Sequence, residues 1–232
     1  MLSERRSRLY RLLTWLSPGF PVGGYAYSHG LEFAIDSGRV ADLNSLLNWF
    51  DGVLRFGAAA GDAVLLRAAW QAVDREDQAA LLDAFDYGAA IPGTRELALE
   101  SKAQGSAFFT AVSAAWPELG LERYLAGIDR PPKDLCYAVA VGLAAAAAGI
   151  PLSDALTAYL HGFAGNAVSA AVRLTPLGQT TGLKALAALE PLIDAQVAET
   201  LETDDLVPAN AAMMVDWMSI QHETQYARLF RS

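Results

Sequence analysis

The chain has 232 residues, 53% of them apolar, and a formal net charge of −9. This length suits one large domain or two small ones with a real core, and the acidic balance argues against non-specific nucleic-acid binding, where phosphate repulsion would have to be overcome. Cys136 is the single cysteine, so no intrachain disulfide can form and nothing points to an oxidising compartment.

The first eleven residues are a basic exception. Arg5, Arg6, Arg8 and Arg11 stand against Glu4, which makes this arm +3 and the remainder −12. We read the arm as the solvated face of a first helix, because Leu9, Leu12, Leu13 and Leu16 follow an i, i+3, i+4, i+7 stripe. Arg8 and Arg11 interrupt its apolar stretch, so it lacks the hydrophobic run of a signal peptide. "YAYSHGLE" at 25–32 then follows a stretch rich in Pro and Gly, and Ala26-Tyr27-Ser28-His29-Gly30 reads as an alanine variant of G-x-S-x-G. Asp42 is placed to cap a helix carrying Leu43, Leu46, Leu47, Phe50 and Leu54. A helical segment fits 62–88. Thr94, after Pro92-Gly93, starts another, in which Glu96 and Glu100 lie one turn apart on a charged face. Helix formers run from Asp134 to Gly149, punctuated by that glycine and Pro151. Further segments fit 152–173, 177–201 and 208–226.

Two stretches, 135–153 and 155–172, contain no Asp, Glu, Lys or Arg. A spanning helix wants about 20 strongly apolar residues, and these are cut by Gly and Pro or carry polar groups, so buried helices and a cytoplasmic location are expected. Alternating strand patterns are absent. The expected fold is therefore one all-α domain of roughly eight to ten helices with short loops.

The chemical readings are weak by comparison. A nucleophile turn at Ser28 needs a strand before it and a helix after it, yet Pro21, Gly23 and Gly24 make a poor strand. In the alternative, Gly23 and Gly24 supply permissive backbone angles, Ser28 caps a helix and Glu32 sits in its first turns. No phosphate-binding loop occurs. His29, Cys136, His161 and His222 are scattered without metal-ligand spacing, and His222-Glu223 reads as a solvent-facing pair on a helix end. Small residues at Gly162, Gly165, Ala167, Ser169, Ala170 and Ala171 predict a closely packed helix pair. Arg173 ends that helix, and the polar Gln179 and Thr180 soon follow. Residues 226–232 combine aromatic, leucine and arginine side chains, which interface hot spots favour. Such a tail either docks on its own core or receives another protein.

Taken together, "SPGFPVGGYAYSHGLE", "RELALES", "YLHGFAGNAVSAAVRLTPLGQTTG" and "QHETQYARLF" resemble the UreF family of urease accessory proteins, in the family's order and over nearly the whole chain. The resemblance implies an all-α domain over 1–222, a partner-docking tail over 223–232, and a protein that is not an enzyme. It implies an adaptor in a complex with UreD (also called UreH) and the UreG GTPase. That complex engages the urease apoprotein and inserts nickel at the expense of GTP. A homodimer is implied, with no tightly bound cofactor and nickel handled by the complex. Arg228 matches the family's arginine for UreG recruitment, and Tyr226, Leu229 and Phe230 match the apolar tail, implied to become ordered against UreD. Glu32 matches the G-L-E turn, and with Gln179 completes the expected partner-binding set. Where some relatives carry a tyrosine two positions beyond that glutamate, this chain has Ala34. The competing expectations are a serine hydrolase centred on Ser28 and a direct nickel carrier using His222 or Cys136.

Overall fold

A computed structural model describes residues 2–126, 128, 134–203, 206 and 211–232. Among them no strand occurs, and the helices run α1 (Leu2–Trp15), α2 (Leu31–Asp36), α3 (Leu43–Phe56), α4 (Ala58–Asp74), α5 (Gln78–Ala90), α6 (Arg95–Ala115), α7 (Glu122–Leu125), α8 (Tyr137–Ala147), α9 (Leu152–Leu174), α10 (Gly178–Glu202) and α11 (Met213–His222). Nine of these have ten residues or more, in agreement with the all-α expectation. No helix among the described residues is long and apolar enough to cross a membrane.

Local chemistry sets several boundaries. Asp42 accepts the Ser45 backbone N–H at 2.8 Å while the Ser45 hydroxyl accepts the Asp42 N–H at 3.0 Å, a reciprocal capping box that starts α3. Thr94 Oγ1 accepts the Leu97 N–H at 3.2 Å and starts α6. The segment expected over 62–88 is two helices. Glu76 takes the left-handed region at φ 54°, and Asp77 opens α5 by accepting from the Ala80 N–H at 3.0 Å. Neither Gly nor Pro marks that break. The last expected segment, 208–226, is helical only over α11; its residues 208–210 lie outside the described residues.

The core is built around α8. Residues Ala138 to Ala145 are all buried, as expected for a helix that is apolar on every face. It is flanked by α4, α6 and α9. Two glycines permit the closest approaches. A β-carbon at Gly105 of α6 would overlap the Leu135 carbonyl oxygen just before α8, and one at Gly142 of α8 would overlap the Leu66 carbonyl of α4. The stripe expected on α1 divides: Leu12 is buried and Leu16, just past the helix, half-buried, whereas Leu9 and Leu13 are 57% and 66% exposed.

Gly105→Ala should therefore cost about 2 kcal/mol or more in urea unfolding, the scale of overpacking a tight interior. Gly52→Ala is the control: its β-carbon meets nothing within 4 Å inside α3, and it should stabilise by about 0.5–1 kcal/mol.

Candidate functional site

The most densely connected polar region lies where the turn before α2, the start of α6, the end of α11 and the segment 223–232 converge. The turn is shaped by backbone angles that side chains seldom adopt. Gly23 and Gly30 sit at φ 73° and 77°, and His29 at φ 54°. A β-carbon at Gly30 would come within 2.7 Å of the Ser219 backbone nitrogen, so glycine there also lets α11 close onto the turn. This geometry sends Ser28, His29 and Glu32 inward.

Three carboxylates receive the terminal strap, one from α2 and two from successive turns of α6. Glu32, 5% exposed, accepts the Leu229 N–H at 2.7 Å on Oε1 and the Phe230 N–H at 2.9 Å on Oε2; His222 Nε2 lies 3.0 Å from the same Oε2. Glu96 takes His222 Nδ1 at 2.7 Å on Oε2 and the Arg228 guanidinium on Oε1. Glu100 accepts the Ser232 hydroxyl at 2.6 Å and the Gln104 amide at 2.7 Å, with His29 Nε2 3.0 Å from its Oε1. The Arg231 N–H donates to Ala26 O at 2.8 Å, and the Ser28 N–H donates to Ser232 O at 2.9 Å. The Ser28 hydroxyl also donates to Ser232 O, and it accepts the Glu32 N–H at 3.3 Å. Arg173 stacks 4.5 Å over the Phe230 ring and donates to Tyr25 O at 3.0 Å. Buried carboxylates are tolerable only when paired and hydrogen-bonded; here the strap and two histidines do both.

Behind Glu100 lies a cavity of ≈ 90 Å³ lined by His29, Asp62, Glu100, Tyr137 and Tyr159 among others. Desolvation pushes the Asp62 carboxyl up to about 6, against the Tyr159 hydroxyl that donates to it at 2.7 Å and the charge of His29. Burial works to lower His29, but the Glu100 carboxylate, then Asp62, more than offset it and the imidazole is raised. Burial likewise pushes the Cys136 thiol up to about 12, the behaviour of a cysteine enclosed in apolar surroundings.

The expected site residues separate. Glu32 is the hub itself, Arg228 is ion-paired at its edge, and Phe230 is 3% exposed inside the strap's footprint. Tyr226 and Leu229 are exposed at 103% and 64%. Gln179 is exposed in the first turn of α10, and no hydrogen bond links it to the hub. Ala34 is fully buried.

Three readings are corrected. His222 is not a solvent-facing helix-end residue but is wholly buried between two carboxylates. The face of α6 bearing Glu96 and Glu100 is not solvated; Glu100 is 2% exposed. Ser28 does not cap α2 in the usual way, since Gly30 occupies the cap position. Its hydroxyl is engaged by Ser232 and Glu32, preceded by a 3-10 turn at Gly24–Ala26 rather than a strand, which is not the geometry of a nucleophile elbow. Sequence reasoning missed Glu96, Glu100, Gln104 and His29 as members of the hub. The i, i+4, i+8 spacing of Glu96, Glu100 and Gln104 was the available signal. Among the described residues no three of His, Cys, Asp or Glu are grouped so as to hold a metal ion.

The fold and this hub define a class: an all-α protein whose terminal strap is threaded across its own acidic helix ends. A family profile described as UreF matches residues 40–190. The chain is 45% identical over 232 residues to the urease accessory protein UreF of Rhodopseudomonas palustris strain HaA2, covering 99% of this chain and 96% of that one. It is 48% identical to that of Granulibacter bethesdensis, covering 97% and 94%, and 47% identical to that of Methylobacterium sp. strain 4-46, covering 95% and 87%. The chain belongs to the UreF family.

Two outcomes follow from the site. Glu32→Gln replaces one acceptor oxygen with a donor facing the strap; it should cost about 2–3 kcal/mol and expose the peptide bond after Arg228 to trypsin in native buffer. Asp62 and His29 both have folded pKa values above their unfolded ones, so the native state binds these protons more tightly. Their stabilisation is present at acid pH and is lost as pH rises, for Asp62 between its ordinary 3.8 and about 6. Asp62→Asn should therefore gain on the parent by up to about 3 kcal/mol across that window, read from urea midpoints at each pH.

Proposed function

We propose that this chain is a urease accessory adaptor that acts in a complex with UreD (UreH) and the UreG GTPase, supporting GTP-dependent insertion of nickel into the urease apoprotein. The full-length likeness to urease accessory proteins UreF supports the role. The observation that carries the adaptor reading is an uncovered apolar face beside an ordered arginine. On α11, Met213, Met214, Trp217 and Ile220 fall at i, i+1, i+4 and i+7 and are exposed at 83%, 51%, 53% and 44%. Tyr226 and Leu229 follow on the strap. Clusters of methionine, aromatic and arginine side chains characterise the energetic centres of protein interfaces, and solvent is a poor permanent neighbour for such a face. We assign it to UreD.

Arg228 is the second contact. One guanidinium nitrogen is held by Glu96 while the side chain stays 37% exposed, so further N–H donors remain for an acidic or carbonyl partner. We assign this arginine to UreG. The chain then works by linkage: contacts that differ between states of the GTPase shift their balance, and no bond is made or broken on this chain. Nickel is the cargo of the complex. The adaptor acts in the cytoplasm and pairs as a homodimer.

Arg228→Ala is the test. The variant should fold with the parent's circular dichroism and urea midpoint within about 1 kcal/mol, as expected for a partly exposed ion pair, and should still co-purify with UreD. Recovery of UreG with that pair should fall by about tenfold or more, the scale of an interface hot spot. Recovery equal to the parent's would remove Arg228 from the assignment.

A further inference from the structure

The cavity behind Glu100 gathers side chains from five segments: His29 from the turn before α2, Asp62 from α4, Glu100 and Gln104 from α6, Tyr137 from the start of α8 and Tyr159 from α9. At ≈ 90 Å³ it is several times the space that one water needs, about 10–15 Å³ on the same measure. Glu100 is fully engaged by His29 Nε2, Gln104 and Ser232. Asp62 is not. Its Oδ2 accepts the Tyr159 hydroxyl at 2.7 Å, but among the described residues nothing donates to Oδ1. The Tyr137 hydroxyl and Gln104 Oε1 likewise have no partner among the described residues. His29 Nδ1 is enclosed and unpartnered. Because Nε2 must donate to the Glu100 carboxylate, Nδ1 of the neutral ring is an acceptor. Polar groups enclosed without a partner are costly, and each one in a folded protein calls for an occupant.

We propose that this cavity is a binding site for a small alkylammonium ion, with Asp62 as its counter-charge and Tyr137 and Tyr159 as its aromatic wall. The charge balance selects a cation. His29 serves Glu100, and neither Lys nor Arg lines the cavity, so Asp62 faces it without a full positive partner. Two carboxylates repel an anion, and a neutral guest would leave the Asp62 charge uncompensated, which an enclosed site tolerates poorly. The walls select an organic cation. The Tyr137 and Tyr159 rings stand 5.4 Å apart and are tilted by 45°, and Phe163 packs 4.7 Å from the His29 ring. Aromatic faces attract ammonium groups and accept their carbon substituents as well. A metal ion is disfavoured, since among the described residues no three of His, Cys, Asp or Glu are grouped so as to hold one. An ammonium head has up to three N–H donors, and Asp62 Oδ1, Gln104 Oε1 and His29 Nδ1 are the acceptors left for them. An apolar pocket wall with a few polar groups is the usual make-up of a small-molecule site.

The site is separate from the contacts assigned to α11 and Arg228, so its failure leaves the function proposed above untouched. Methylammonium chloride is the probe, added to the full-length protein near neutral pH against potassium chloride at equal ionic strength. At about ten times its Kd it should raise the folding equilibrium constant by about tenfold, as binding to the native state alone requires. Nuclear Overhauser effects should run from its methyl group to the ring protons of Tyr137 and Tyr159. Asp62→Asn removes the charge at nearly constant shape and should weaken binding by about tenfold or more, the scale of a charged hydrogen-bonding partner. Should that variant not fold, the Overhauser effects in the parent decide: their presence on both tyrosines supports the site and their absence overturns it. Equal stabilisation by potassium chloride overturns the organic cation, and unchanged binding in Asp62→Asn overturns the role of that carboxylate. No effect at about 0.1 M, where a millimolar ligand saturates its site, means that the cavity holds water only and overturns the proposal.

Discussion

A carboxylate taken out of water must find donors, and Glu32 finds three: two backbone N–H groups from the strap and one imidazole nitrogen. Much else in this region answers to that requirement. The left-handed residues His29 and Gly30 turn the chain so that α2 begins with Glu32 pointing inward. Gly30 also gives α11 room to approach until His222 reaches the carboxylate. The first two turns of α6 then place Glu96 and Glu100 along the same path, so that the strap meets an acceptor near Arg228, at Leu229 and Phe230, and again at Ser232. Since burying an unpaired charge costs several kcal/mol, α2, α6 and α11 hold these carboxylates in place together. The site is cooperative because its charges are shared.

The rest of the molecule supplies rigidity. A small-residue helix, α8, lies between partners so close that Gly105 and Gly142 have no space for a β-carbon, and packing of this density resists deformation. The hub is attached to that frame through α6, which packs on α8 and carries two of the three carboxylates. Binding surfaces placed on such a support lose less conformational entropy when a partner arrives. Met213, Trp217 and Ile220 on α11 are then held at fixed spacing instead of being presented by a loose terminus.

The helical frame was legible in the sequence because its signals are local. Asp42 with Ser45, Thr94, and the run of alanines after Tyr137 announce caps and a buried helix within a few residues of where each acts. The break at Glu76 was not legible, since a left-handed glutamate followed by a capping aspartate resembles an ordinary charged helix face. The hub was read only in part. Glu32, Arg228 and Phe230 were singled out through the family resemblance, but Glu96, Glu100 and His222 looked like solvated side chains. Their burial depends on bringing together positions 32, 96–104 and 222–232, and no periodicity carries that information. The exposed halves of α1 and α11 were hidden for the opposite reason: an apolar stripe predicts a buried face, and Leu9 and Leu13 keep the pattern while standing in solvent.

The strap itself is stabilised in a way that sets it apart from the core. Of its last seven residues only Phe230 and Ser232 are buried, so little apolar area is gained when it docks. Its order comes instead from charge-assisted hydrogen bonds, which are strong when enclosed and lose value once water enters. Segments with few buried apolar contacts open locally at a fraction of the global stability. The strap is therefore the part of this fold whose conformation responds to charge, such as that of an acidic group competing for Arg228. Such a competitor would draw the arginine from Glu96 and leave that carboxylate dependent on His222 alone. A contact made at the surface is in this way felt at the buried hub.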